Sequence, residues 1–344
     1  MGKIRFGVVG TNFITDWVIA GAREDERFEL AAVCSRTPER GREFARKHGI
    51  PHVFTSLEAM TAGDTVDAVY IATPNCMHAR QSIYCMSRGK HVLCEKPLAS
   101  NAAEVRAMIG ASHRYGVTLM EAMKSTLSPN FAAVRKALPR VGRVRRYFAS
   151  FCQYSSRYDK FKEGTVLNAF RPELSNGAIM DIGVYALYPA VALFGRPHSV
   201  EAQGVVLSSG ADGQGAVNML YDGMNATVLY SKVADSLLPS EIEGEAGNIL
   251  IDRIQTPADV RFYPRTAPSS GRGARPEAEV LSCSDGHDEY YYEVAEFIDL
   301  IVAGRLSSQV NSHDVSLAVM EIVDEVRRQI GVRYPADDRP MVEM

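Results

Sequence analysis

The sequence predicts an α/β protein: a doubly wound parallel sheet, followed by an α+β domain with a large, mostly antiparallel open sheet. Three observations carry this. Buried strand patterns alternate with helical ones from the start of the chain to about Met123, the order that builds parallel strands joined by helical crossovers. From about Ser125 that alternation stops, and strands follow one another through tight turns. The 344 residues, 46% of them hydrophobic, suffice for two cores. The expected division is a first domain at 1–123 and a second at 124–344.

In the first domain, Ile4 to Val9 reads as a strand entering a turn, and about Ile14 to Arg23 as a helix with Ile14, Val18 and Ala22 on one face. Between them lies Gly10-Thr11-Asn12-Phe13-Ile14-Thr15. A dinucleotide site would read G-x-G-x-x-G here. Only Gly10 is kept; Asn12 holds the second glycine position and Thr15 the third. Asn tolerates a left-handed backbone, so the turn is expected to survive, with the Asn12 side chain crowding a pyrophosphate. Phe28 to Cys34 is the next strand, and Thr37 caps a helix from Pro38 to His48 that stops at Gly49. An NAD site places a carboxylate at the end of this second strand to hold the ribose 2′-hydroxyl. Ser35 and Arg36 stand there instead. A hydroxyl and a guanidinium suit a 2′-phosphate, so NADP is the expected cofactor, with NAD possible.

His52 to Phe54 is a short strand, and a short helix begins at Ser56. Asp67 to Ala72 is a buried strand ending in Thr73-Pro74-Asn75, and Asn75 opens the helix that carries His78. Thr73, Pro74, Asn75 and His78 are candidates to face a nicotinamide ribose, His78 as a supporting one. After Gly89, His91 to Cys94 is a strand running into Glu95-Lys96-Pro97. That places the charged pair at the carboxyl end of a parallel strand, where ligands sit in open α/β sheets. Pro97 keeps Lys96 extended, and a Lys–Pro bond is able to be cis. Asn101 with Glu104 caps the helix that runs to Tyr115. A final strand, Val117 to Met120, completes the domain.

In the second domain, Asn130 to Leu138 is a helix, Val144 to Tyr154 a long strand, and Ser155 to Phe170 a polar and aromatic loop over a site. Ala178 to Phe194 reads as an apolar helix with Gly177 and Gly183 allowing close packing. Asp181 and Tyr185 are four apart on it and share a face. A buried carboxylate beside a buried phenol is either a hydrogen-bonded core pair or a pair that handles protons. Ser199 to Leu207, Gly215 to Tyr221, Asn225 to Lys232, Ser240 to Gly244, Ile249 to Asp252 and Val260 to Tyr263 are strands, with Asp222-Gly223 as a hairpin turn. Thr266 to Pro276 reads as a loop; about Glu289 to Gly304 and Ser312 to Gly331 are closing helices. Tyr290, Tyr291 and Tyr292 are expected to pack at a helix start. The sheet is expected to leave one face, with Val228 and Tyr230 on it, for a second copy.

A net charge of −3 and a pI near 6.3 give no basic field for nucleic acid or membrane. No apolar run has transmembrane length, and with a strand expected from Ile4 no signal peptide is expected ahead of it. Six scattered cysteines, without Cys-x-x-Cys, read as thiols of a reducing cytoplasm. Eight histidines form no ligand pair, so no metal site is expected.

Gly7-Val8-Val9-Gly10-Thr11-Asn12, Ala72-Thr73-Pro74-Asn75 with His78, Gly89 through Glu95-Lys96-Pro97, and Gly177 to Tyr185 together resemble the glucose–fructose oxidoreductase / inositol dehydrogenase / rhizopine catabolism (Gfo/Idh/MocA) family, in order and spacing along nearly the whole chain. The resemblance implies a Rossmann domain followed by an α/β domain with an open sheet, in a homodimer or homotetramer formed through that sheet. It implies NAD(P)-dependent oxidation or reduction of sugars, cyclic polyols or diols. It assigns Lys96 to the substrate hydroxyl and the nicotinamide, and Asp181 to orienting the substrate. Many members have His four residues after that Asp; Tyr185 stands there in this chain, which resembles the dihydrodiol and aldose dehydrogenase branch, where a Tyr is the proposed proton donor. Lys96, Asp181 and Tyr185 are expected to meet at the nicotinamide edge, with Arg171 seating substrate or carboxamide. A catalytically silent cofactor-binding sensor on the same fold is the alternative, and reduction of an imine or enone is an alternative within the enzyme class.

Overall fold

The computed structural model describes residues 2–265 and 277–339; the loop expected at Thr266 to Pro276 lies outside them. The chain forms two compact units, Met1–Lys124 with Gly286–Met320 and Tyr334–Met344, and Ser125–Asp285 with Glu321–Arg333.

The first unit holds β1 (Ile4–Val9), α1 (Phe13–Ala22), β2 (Phe28–Cys34), α2 (Pro38–His48), β3 (His52–Phe54), α3 (Leu57–Thr61), β4 (Ala68–Ile71), α4 (Asn75–Ser87), β5 (His91–Glu95), α5 (Ala102–Tyr115) and β6 (Leu119–Ala122). All six strands pair in parallel, in the order β3-β2-β1-β4-β5-β6. This is the doubly wound order in which ligands bind at the strands' carboxyl ends, where the order reverses between β1 and β4. The strands are buried on both faces: Val33, Val69, Ile71, Val92 and Leu93 are all at 0% exposure. The edge strand β6 is covered, because Leu119 N–H donates to Leu306 O at 3.0 Å and Asn311 Nδ2 donates to Met123 O at 3.0 Å.

The second unit holds α6 (Pro129–Ala137), β7 (Val144–Cys152), α7 (Tyr158–Lys162), a π-helical turn (Ile179–Gly183), α8 (Val184–Phe194), β8 (Ser199–Val206), β9 (Asp212–Tyr221), β10 (Met224–Ser231), β11 (Ser240–Gly244), β12 (Gly247–Ile251), β13 (Val260–Pro264) and β14 (Glu279–Val280). The eight strands are ordered β14-β13-β12-β11-β7-β10-β9-β8, antiparallel except for β7 beside β10. The chain ends with α9 (Tyr291–Val302) and α10 (His313–Ile330); α9 packs on α1 in the first unit.

One face of the second sheet is core: Tyr147, Ala149, Val217, Ala226, Val228 and Ile242 are all at 0% exposure. Val228 and Tyr230, expected on the open face, are 0% and 1% exposed and belong to this core. Their strand neighbours Thr227 and Leu229 point the other way, since side chains alternate along a strand. The open face carries the half-buried Phe148, Ala216, Leu229 and Leu250.

Candidate active site

At the end of β1, Gly10 has φ 107°, and a Cβ there would come within 2.5 Å of Ala72 O. Only glycine fits so close to the neighbouring strand. Asn12 behaves differently from the sequence expectation. Its backbone is extended, φ −99° and ψ 175°, so no left-handed turn is needed from it. Its side chain caps α1, accepting from Ile14 N–H at 3.0 Å, while its Nδ2 donates to Ala72 O at 2.8 Å. The side chain is thereby folded onto the protein, and the Ile14 amide is taken up by the cap. Thr15, in the third glycine position, donates its hydroxyl to Gly10 O at 3.0 Å and closes the turn. Thr11 is half-buried, and Phe13 is 51% exposed.

Ser35, at the end of β2, is 7% exposed, and its N–H donates to Phe54 O at 3.0 Å. Arg36 is fully on the surface beyond it. The two residues that directly follow β2 are thus a hydroxyl and a guanidinium, with no acid between them and the strand. The residues therefore fit a dinucleotide carrying a 2′-phosphate: a glycine turn, a capped helix start and a cation at the ribose end.

After β4, Thr73 Oγ1 donates to Gln81 Oε1 at 2.6 Å, and α4 begins at Asn75 with Pro74 before it. His78 is 1% exposed, with Nδ1 2.9 Å from Pro97 O and Nε2 2.8 Å from Thr73 O. Both ring nitrogens face backbone oxygens, and a neutral ring has one N–H to donate to them, so His78 sits packed between the Thr73 turn and the Lys96-Pro97 turn. Burial holds its pKa below the ordinary value.

Glu95 ends β5 at 8% exposure, and Tyr70 Oη donates to its Oε1 at 2.6 Å. Burial pushes its carboxyl up, against the opposing charge of Lys96. Lys96 is half-buried, and the Lys96–Pro97 bond is cis. The turn is pinned further on: Leu98 N–H donates to Glu121 at 2.9 Å, and Asn101 caps α5 by accepting from Glu104 N–H at 3.0 Å. Glu293, on α9, is 1% exposed, and burial with the charge of Glu95 raises it well above the carboxylate range. Tyr70, Glu121 and Glu293 were not singled out from the sequence. Among the described residues no cluster of His, Cys, Asp or Glu could hold a metal ion.

In the second unit, Asp181 lies inside the π-helical turn, where Val184 N–H reaches back to Ile179 O. Such wide turns are rare and often functional. Gly183 lets the turn press on β10: a Cβ there would meet the Tyr230 ring at 3.2 Å. Asp181 and Tyr185 are both half-buried, which corrects the expectation of two buried groups on one regular α-helix. Asp181 is ion-paired with Lys232, and Tyr185 sets its ring edge against Phe151 at 5.8 Å. Lys232 escaped the sequence reading. Its one signal is a lysine at the end of a half-buried strand, and an acid within an apolar helix demands such a partner. Arg171 is exposed, its Nε 3.7 Å from Glu173.

Comparison with known proteins places the chain in a family. Residues 4–123 match the family model described as oxidoreductase family, NAD-binding Rossmann fold, and residues 131–250 match the GFO/IDH/MocA C-terminal domain. The chain is 50% identical over 334 residues to scyllo-inositol 2-dehydrogenase (NADP(+)) IolU of Bacillus subtilis, covering 97% of this chain and 99% of that protein. It is 30% identical over 351 residues to trans-1,2-dihydrobenzene-1,2-diol dehydrogenase of Danio rerio, covering 98% and 99%. The fold matches aldose-aldose oxidoreductase from Caulobacter crescentus with a TM-score of 0.82 at 22% identity, covering 95% and 97%. With both of its sequence regions matched and a half-identical relative along nearly its full length, the chain belongs to the Gfo/Idh/MocA oxidoreductase family.

Proposed function

We propose that this protein is an NADP(H)-dependent dehydrogenase or reductase that moves hydride between the nicotinamide and a secondary alcohol or carbonyl of a cyclic polyol, sugar or diol. The observation that carries it is the carboxyl edge of the first sheet: the Gly10 turn, Ser35 and exposed Arg36 directly after β2, and Lys96 directly after β5. The inositol and dihydrodiol dehydrogenases among its relatives support the same substrate class.

NADP, when bound, supplies the hydride acceptor or donor. Ser35 and Arg36 would hold its 2′-phosphate, and Gly10 through Ile14, Thr73 to Asn75, His78 and Glu95 would contribute to its binding. Lys96 bonds the substrate oxygen. Tyr185 takes the hydroxyl proton during oxidation and returns it in reduction. Asp181 orients a neighbouring hydroxyl, and Arg171 seats substrate or carboxamide. A silent sensor would have no chemical need for Lys96, Asp181 and Tyr185 together.

The open face of the second sheet, with Phe148, Leu229 and Leu250, is assigned to a homodimer or homotetramer contact. Free thiols at all six cysteines support a cytoplasmic location. No described helix is long and apolar enough to cross a membrane. The direct test is to screen inositol isomers, aldoses and dihydrodiols for NADP reduction. Turnover of at least one polyol or diol is expected. NADP binding with no turnover of any would favour the sensor.

A further inference from the structure

We propose that Lys232 is a positioning residue for the reaction: its ammonium fixes the Asp181 carboxylate in one orientation, so that a substrate hydroxyl meets a preset acceptor. This rests on the reading of Asp181 as the group that orients substrate.

Lys232 follows β10 and is held at both backbone groups. Its N–H donates to Gly213 O at 2.8 Å, and its carbonyl accepts from Ser155 N–H at 2.9 Å. The residue is 4% exposed. A lysine that deep is almost always paired. Its ammonium reaches the Asp181 carboxylate and lies 5.9 Å from the Phe170 ring centre, an apolar wall that keeps solvent from competing for the charge.

A second acid stands nearby with another task. Asp212 is at 0% exposure, and its Oδ2 accepts from Ile179 N–H at 2.7 Å, at the start of the π-helical turn. Burial pushes its carboxyl up to about 6. Asp212 anchors the backbone of the turn from inside. Asp181 keeps its side chain 28% exposed, on the half-buried side where Tyr185 also sits. The pair therefore holds the Asp181 carboxylate from its buried side and leaves part of it open to a further hydrogen bond. A half-exposed carboxylate without a fixed partner would sample several rotamers, and each would need to be frozen out when substrate binds.

The test uses the full-length protein with NADP and the best-turned-over member of the polyol and diol panel. Lys232→Met should raise KM for the polyol about tenfold or more and leave KM for NADP within about twofold, because only substrate positioning is lost. Lys232→Arg should recover most of the loss. In an Asp181→Asn background, Lys232→Met should add less than about twofold, since both changes remove one interaction. A crystal structure of Lys232→Met should show the Asp181 carboxylate turned away or in several rotamers; this readout needs no turnover. Asp181 unmoved in that crystal, or effects of the two substitutions that multiply, would overturn the proposal. Full activity in Asp181→Asn would instead remove the reading of Asp181 as substrate ligand.

Discussion

Tyr70 Oη donates a 2.6 Å hydrogen bond to Glu95 Oε1, tying the middle of the sheet to the residue that precedes Lys96. Tyr70 is 2% exposed and Glu95 8%. Glu95 is therefore held from inside the protein. Tyr70→Phe removes the donor and leaves a buried carboxyl oxygen without it. The expected loss of stability is about 1–3 kcal/mol, read as a lower denaturant midpoint with an unchanged slope. An unchanged midpoint would mean that another group replaces the phenol.

NADP is expected to bind more tightly than NAD because Arg36 stands where a carboxylate would select NAD. A charge-assisted bond to an exposed phosphate is worth about 1.5–3 kcal/mol, or roughly ten- to a hundredfold. Arg36→Ala should lose that factor for NADP and little for NAD in fluorescence titrations. Equal affinity of the unaltered protein for both cofactors would refute the assignment.

For the chemical step, Tyr185→Phe should lower kcat by about 10²- to 10⁴-fold, the usual worth of general acid–base help, with NADP binding intact. Lys96→Ala should cost at least as much, since the ammonium both positions the oxygen and assists its proton. Both are measured at saturating cofactor on the polyol found by screening. Nearly full activity in Tyr185→Phe would reduce Tyr185 to a packing residue against Phe151.

Stability should fall as pH rises from about 4.5 towards 7. Burial pushes Glu121 from 4.5 up to about 7, so the folded protein keeps a proton that the unfolded chain has already lost. The contribution is full below pH 4.5 and is lost progressively up to about pH 7. Glu293, raised by burial and by Glu95, acts in the same direction. Glu121→Gln should flatten this fall by on the order of 3 kcal/mol, seen in denaturant melts at pH 5 and pH 8. An identical pH slope in the variant would show that Glu121 is ionised in the fold.

Light scattering at micromolar concentration should give at least a dimer mass, and Leu229→Glu should shift it towards monomer, because a charge on the open face opposes an apolar contact. A monomer mass for the unaltered protein would dismiss the contact.

Much of the first unit was legible because its signals are local. Gly10, the end of β2 at Cys34 and the Asn101 cap follow from turn chemistry and short periodicity, which act within a few residues; β5 runs one residue past the expected Cys94. The misreadings have a different origin. Asn12 was read by its tolerance for a left-handed backbone, but it gains more by capping α1 and bonding to Ala72 O, a partner on another strand. Val228 and Tyr230 were given to the wrong face, since alternation fixes that neighbours oppose each other but not which face meets the helices.

By itself the sequence determined two sheets of different kinds, the turn that precedes a dinucleotide-binding helix, the cation in place of a carboxylate after β2, and the chain positions of Lys96, Asp181 and Tyr185. Each depends on residues close together in the chain, where backbone geometry and side-chain chemistry act directly. Tertiary structure alone decided which charges meet. Lys232 reaches Asp181 across 51 positions, and the charge of Glu95 acts on a glutamate of α9. A buried charge takes its partner and its proton affinity from whatever the fold packs against it, and no local pattern of residues specifies that neighbour.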